Sequence, residues 1–392
     1  MKQTSLTLLF LWLLLTSTIA NAAQVLFTPA LILTERYSDN IFLVPDIEDA
    51  NITKEEDYIT SAGLSLTGQV IGRTAGLELN YTPTYNAFAT NTDFDYWRHT
   101  GRVLLWNDFS RYTRLEITDT YLETENPLDE SEDYTPDDPT QGPDIEPDTT
   151  RRGRNRYRTN TAQIRLSHRF GERDNYYLAL QHDMHEDVDP DPDIPVRDYR
   201  NLQPSLGMTY WFAQRWGIAL DGYYSNRDYE DESDREEISG YVRFLRAITR
   251  NLSGFIEYRQ TYLNYDEETE QDYRLHQSSI GADYQFQETA HITLAAAYYI
   301  QDYQDLEDDA DDNGWSVNSD IYKRWAFQRS YIDLTGGSGY DIDDTGVEDR
   351  GLNFFYQGRL ELGRTFTPRF TGNIFGSYRY DEYPNLTPEV GS

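Results

Sequence analysis

The stretch DADDNGWSVNSD (309–320) carries the most ordered set of metal-ligand residue types in the chain. Asp309, Asp311, Asn313, Gly314 and Asp320 fall at positions 1, 3, 5, 6 and 12 of a calcium-loop register. Short oxygen ligands at alternate positions, with a glycine at the sharp turn, are what a hard cation requires. Two features oppose the reading: the last position holds Asp instead of Glu, and Trp315 to Ile321 reads as a strand. Either this is a solvated acidic loop, or Asp309, Asp311, Asn313 and Asp320 hold Ca2+ weakly. DVDPDPD (187–193) and DESEDYTPDD (129–138) are comparable acidic runs, whose prolines hold the carboxylates extended and apart.

Catalytic chemistry finds little support, and no enzyme is expected. There are six histidines: His99, His168, His182, His185, His276 and His291. His182 and His185 are three apart, so on a strand they point to opposite faces and cannot share a metal. Carboxylate pairs are too common for any one to stand out as an acid–base couple. No Gly-x-Ser-x-Gly elbow occurs. No cofactor is implied beyond the possible loop Ca2+.

The elements that would position these groups are strands. In HITLAAAYYIQ (291–301), Ile292, Leu294, Ala296, Tyr298 and Ile300 lie on one face, and Thr293, Ala295, Ala297, Tyr299 and Gln301 on the other. Segment 76–86 sets Leu77, Leu79, Tyr81 and Tyr85 against Glu78, Asn80 and Thr82. Segment 161–170 sets Ala162, Ile164, Leu166 and Phe170 against Gln163, Arg165 and Ser167. Segment 216–224 sets Trp216, Ile218, Leu220 and Tyr224 against Asp221 and Tyr223. Segment 352–363 sets Leu352, Phe354, Tyr356, Leu360 and Leu362 against Asn353, Gln357, Arg359 and Glu361.

Soluble sandwiches and propellers share this alternation, so the connections must discriminate. Short ones lie near 71–74, 108–111, 170–174, 213–216, 248–251, 286–289, 326–329 and 366–369. They alternate with longer acidic ones at 38–57, 89–95, 126–155, 187–197, 228–235, 265–272, 302–313 and 341–350. Short turns on one side and long loops on the other mark a membrane-spanning barrel. Hydrocarbon offers backbone groups no partner, so such a sheet must close on itself. Aromatics cluster at strand ends, as in Tyr176-Tyr177 and Trp211-Phe212, which suits the two membrane interfaces. The expected fold is all-β: a transmembrane antiparallel up-and-down β-barrel of about sixteen to eighteen strands. About seventeen strands can be counted, whereas bacterial single-chain barrels have even numbers. The expectation is therefore a miscount by one or, preferred, a chain lacking its last strand.

Composition agrees. The chain has 392 residues, no cysteine, a formal net charge of -34, and 32 tyrosines to 17 phenylalanines. The aromatic content opposes wholesale disorder. The acidic balance excludes nucleic acid as a partner, because phosphate would be repelled. Residues 1–22 read as a signal peptide: Lys2, an apolar run from Leu6 to Leu15, and an Ala20-Asn21-Ala22 cleavage signal. Residues 23–392 then form one exported barrel domain with long acidic outer loops, in the outer membrane of a Gram-negative cell.

In that frame the inner positions include Glu78, Arg114, Glu116, Arg165, Asp221, Arg243, Glu257, Arg259, Arg359 and Glu361. They either pair across strands as filler or line an aqueous channel. The long 126–155 connection ends in RRGRNRYR (151–158). Arg151, Arg152, Arg154 and Arg156 are expected at the membrane rim, where lipid and lipopolysaccharide phosphates lie. The alternative is an inward constriction loop. Ca2+ in the acidic loops could bridge to the same phosphates.

The segment LTERYSDNIFLVPD (33–46) resembles the opening of the β-barrel porins of Gram-negative outer membranes whose genes often sit among those for exopolysaccharide synthesis and export. The resembling residues are Tyr37, Asp39, Asn40, Ile41 and Phe42, followed by Leu64, Ser65 and Leu66. The resemblance implies a porin-like conduit, with polysaccharide and export machinery as partners. It departs from the family at the C-terminus, where a final strand ending in an aromatic residue is the rule. The rival expectation is a non-conducting structural or surface-interaction barrel whose acidic loops bind cations or matrix. Under the conduit reading, Tyr223, Tyr299 and Phe355 on the inner face could stack on sugar rings.

Overall fold

The protein is described from a computed structural model over residues 23–38, 41, 55–126, 155–188, 198–230, 233–266, 272–286, 290–303, 312–343, 351–367 and 370–382. Residues 1–22, expected from the sequence to be a signal peptide, lie outside them. Among the described residues there are seventeen strands in one sheet. They are β1 (Gln24–Ser38), β2 (Asp57–Ile71), β3 (Ala75–Phe88), β4 (Tyr96–Ser110), β5 (Thr113–Thr124), β6 (Tyr157–Arg169), β7 (Asn175–Asp187), β8 (Tyr199–Ala213) and β9 (Trp216–Tyr229). The rest are β10 (Arg235–Ala247), β11 (Leu252–Tyr265), β12 (Tyr273–Gln285), β13 (Ala290–Tyr303), β14 (Asp312–Ala326), β15 (Ser330–Asp343), β16 (Gly351–Thr367) and β17 (Phe370–Glu382). Among the described residues, no helix is long and apolar enough to cross a membrane.

Each strand runs antiparallel to its sequence neighbour from β1 to β7 and from β10 to β17. Six of the eight short turns fall where the sequence places them; those at 286–289 and 366–369 lie partly outside the described residues. The chain divides into two compact units. One is Met1–Asn126 with Arg152–Leu206 and Asn226–Asp231; the other is Pro127–Arg151 with Gly207–Ser225 and Glu232–Ser392.

In the first unit, Leu79, Ile164, Leu178 and Leu180 are exposed. The opposite face is polar and cross-linked: the Asn80 amide donates to Thr67 (2.8 Å), Gln163 to Gln181 (3.0 Å) and Thr161 to Asp183 (2.9 Å). In the second unit, Ile238, Phe244, Ile256, Ile280, Leu294 and Val317 are exposed, while Glu257, Gln277, Ser279 and Ser316 are buried. This is the reverse of a water-soluble protein. Exposed apolar stripes repeated strand after strand are stable against hydrocarbon, and the buried polar side chains satisfy one another. The fold class is accordingly the antiparallel up-and-down transmembrane β-barrel.

Candidate functional site

One hairpin departs from this pattern. β14 pairs with β13 from its first residue, Asp312, onward. Its pairing with β15 ends at Ser319↔Ser338. β15 stays paired with β16 beyond that point, out to Asp343↔Gly351. The outer half of the β15–β16 hairpin has therefore left β14. The departure falls in Gly336-Gly337-Ser338-Gly339, and glycines inside a strand mark such bends.

The hairpin folds over the buried face of β11–β13. Period-two alternation puts Leu352 and Phe354 on the same face as Tyr356, Leu360 and Leu362. The last three are exposed, as the sequence predicts for a lipid-facing stripe, but Leu352 and Phe354 are buried. They join one apolar cluster with Leu263 (β11), Tyr273 and Leu275 (β12) and Tyr299 (β13). The expected outward placement of Leu352 and Phe354 is thus corrected, because the strand bends before reaching them. Burial of these two side chains contributes about 3–6 kcal/mol. The Phe354 ring lies 4.9 Å from that of Tyr299, at 42°. Across β13–β14, Gly314 faces Tyr299, and a Cβ there would stand 3.0 Å from the ring. On β15, Tyr340 packs against the cluster.

The same sheet carries a partly buried charge ladder on β9–β11. Arg243 approaches Glu257 at 2.6 Å, and Arg259 reaches the other oxygen of the same carboxylate at 3.5 Å. Tyr223 donates to Glu237 at 2.5 Å, and Arg235 lies 3.4 Å from Glu237. Arg243 also covers the Phe255 ring at 4.2 Å.

The ten positions expected inside carry polar partners or half-buried placement on the sheet. Arg243, Glu257 and Arg259 form the ladder just described. Arg359 donates to Glu361 (3.1 Å), which also accepts from Tyr331 (2.7 Å). Arg114 donates to Glu116 (3.2 Å), Gln69 to Glu78 (2.5 Å), and Arg165 lies 3.7 Å from the centroid of the Tyr177 ring. Asp221 is half-buried on β9. Tyr299 is engaged with Phe354, and Phe355 lies under Arg379 at 4.9 Å.

The calcium register is not assembled. Asp309 and Asp311 lie outside the described residues. Asn313 and Asp320 sit on the single extended strand β14, seven residues and roughly 23 Å apart on opposite pleats. Asn313 accepts from the Tyr298 hydroxyl (2.9 Å), and Asp320 faces His291 (3.0 Å). Arg151, Arg152 and Arg154 lie outside the described residues; Arg156 is half-buried just before β6, its carbonyl accepting from the Val188 backbone (2.7 Å). In the resemblance segment, Ile41 is buried with Ile59, Phe88 and Tyr96, while Asp39, Asn40 and Phe42 lie outside the described residues.

The sequence reading missed one constellation. His185, Asp187 and Asp198 bring one nitrogen and two carboxylate oxygens within 4.8 Å of one another. Its signal was His-x-Asp on one strand, a spacing that shares a face. Burial pushes the Asp198 carboxyl above the usual carboxylate range, against the hydrogen bond that it accepts from the Asp187 backbone; the neighbouring Asp187 carboxylate pushes it up as well.

No family model and no curated protein matches the chain. It is similar to solved structures. The closed form of the Ferric-Catecholate import receptor Fiu from E. coli K12 shares 11% identity over 93% of this chain, with a TM-score of 0.48. The chain spans 66% of that receptor's length. OccK2 of Pseudomonas aeruginosa shares 11% identity over 94% of this chain and 95% of its own, with a TM-score of 0.36. A loop-deleted OmpT, an outer membrane protein of Vibrio cholerae, shares 10% identity over 76% of this chain and 99% of its own, with a TM-score of 0.32.

Proposed function

We propose that the chain is a porin-like barrel of the Gram-negative outer membrane, a passive conduit narrowed from within by the β15–β16 hairpin. The observation that carries this reading is the burial of Leu352 and Phe354 against the inner-face residues Leu263, Leu275 and Tyr299. A barrel that needed only to be solid could keep the hairpin in the sheet. A hairpin bent at glycines and folded over the buried face of β11–β13 has the form of a constriction. The charged inner residues, Arg243 and Glu257 among them, supply the polar wall that a hydrated solute requires.

The solute we assign is exopolysaccharide or its fragments. This rests on the resemblance of residues 33–46 to porins associated with exopolysaccharide genes. Arg151, Arg152, Arg154 and Arg156 would bind lipopolysaccharide phosphates at the rim, with loop Ca2+ bridging to the same groups.

A second reading, a non-conducting surface-interaction barrel, is favoured by the same filled inner face. Planar-bilayer recording separates the two. The conduit reading predicts small, intermittent currents from the intact chain and a larger steady conductance when residues 340–354 are replaced by a short Gly-Ser turn. A silent bilayer in both cases, with the protein inserted, supports the surface-interaction reading.

A further inference from the structure

We propose that His185, Asp187 and Asp198 form a binding site for one divalent transition cation of the zinc class. The site lies in the first compact unit, at the base of the connection between β7 and β8. His185 and Asp187 sit two apart near the end of β7, so their side chains share a face. Asp198 immediately precedes β8, so Asp187 and Asp198 bracket the acidic loop that contains DPDPD.

The donor atoms are placed as ligands of a common ion. His185 Nε2 lies 3.5 Å from Asp187 Oδ2, and both side chains are almost completely buried, at 3% and 0% exposed. That separation is long for a charge-assisted hydrogen bond. It matches the edge of a tetrahedral site, where bonds of about 2.0–2.1 Å put neighbouring ligands about 3.3 Å apart. The third donor, on Asp198, falls within 4.8 Å of the other two. A small closure around an ion would complete three protein ligands and leave one position for water.

The surroundings hold these ligands in place. The His185 ring is stacked between Tyr157 (5.3 Å, 15°) and Tyr199 (5.7 Å, 18°), which fixes its plane. Asp198 is tied down twice. Its Oδ1 accepts from the Asp187 backbone N–H at 2.7 Å, and its backbone carbonyl accepts from Glu230 N–H at 3.0 Å. The donor set decides the class. An imidazole with two carboxylates suits zinc and its first-row neighbours, whereas calcium and magnesium select all-oxygen sites. Bound there, the cation would staple both ends of the loop to the rim of the sheet.

The test uses the full chain refolded in detergent, stripped with EDTA and titrated calorimetrically with zinc chloride near neutral pH. One zinc per chain is expected, with no competition from an excess of calcium. His185→Gln and Asp198→Asn should each weaken binding at least tenfold. Asp198 is only partly buried, so Asp198→Asn reports on the site even if His185→Gln misfolds; far-UV circular dichroism verifies the fold of each. Absence of zinc binding, binding unchanged in both variants, or displacement of zinc by calcium would each overturn the assignment.

Discussion

Phe354 on β16 stands 4.9 Å, ring centroid to ring centroid, from Tyr299 on β13, although β14 and β15 separate their strands in sequence order. Strands three places apart along a sheet lie roughly 14 Å from one another. The contact therefore exists because the outer half of β15–β16 leaves the sheet at Ser338 and lies across its neighbours.

Phe354→Ala tests what that contact holds. Loss of a buried phenylalanine costs about 3–5 kcal/mol, here drawn from hairpin docking more than from the sheet. The expected result is longer and larger openings in planar bilayers, with faster proteolysis in the 341–350 connection.

Gly314→Ala should reproduce the effect without touching the hairpin. A methyl group at that position meets the Tyr299 ring at 3.0 Å, so the ring must shift by a few tenths of an ångström, which disturbs its contact with Phe354. The expected change is a raised open fraction with unchanged β-sheet content by circular dichroism. An unaltered open fraction would mean that the ring contact does not hold the hairpin.

Glu257→Gln leaves Arg243 and Arg259 facing each other over a neutral amide. Breaking a buried ion pair costs about 3–5 kcal/mol. The lower end applies here because the two guanidinium side chains are 25% and 31% exposed. Urea unfolding followed by tryptophan fluorescence should show the loss, and Glu257→Gln/Arg243→Met should recover part of it.

The excess of carboxylates, 68 Asp and Glu against 34 Lys and Arg, sits largely in the long connections, which the conduit reading puts at the outer mouth. Such a mouth concentrates cations. In a potassium chloride gradient the reversal potential should show a weak cation preference that shrinks at high salt. Clear anion preference would contradict the reading.

The strands were legible because their period-two stripes are long and their short turns regular: Ile292, Leu294 and Ile300 are exposed where the alternation puts them. The bend at Gly336–Gly339 was not. Alternation fixes which face a side chain shares with its neighbours, but not whether that whole face has turned inward, so Leu352 and Phe354 read as lipid-facing. The calcium register failed for a related reason. A spacing that suits a tight loop cannot gather ligands once Asn313 and Asp320 are drawn out along β14. His185 and His182 point to opposite faces of β7, and the partner that shares the face of His185 is a carboxylate two residues on, Asp187, in a chain rich in carboxylates. Asp198 joins them through the return of the chain into β8, which residue spacing does not encode.

The central claim is that the exposed apolar face meets lipid and the buried polar face does not. Nitroxide labels at Ile256 and Ile280, 61% and 65% exposed on neighbouring strands, measure this in liposomes. The account predicts high collision rates with dissolved oxygen and low ones with a water-soluble nickel chelate, and the opposite ratio in an outer connection such as 89–95. Labels at 256 and 280 that meet the nickel chelate as freely as oxygen would contradict it.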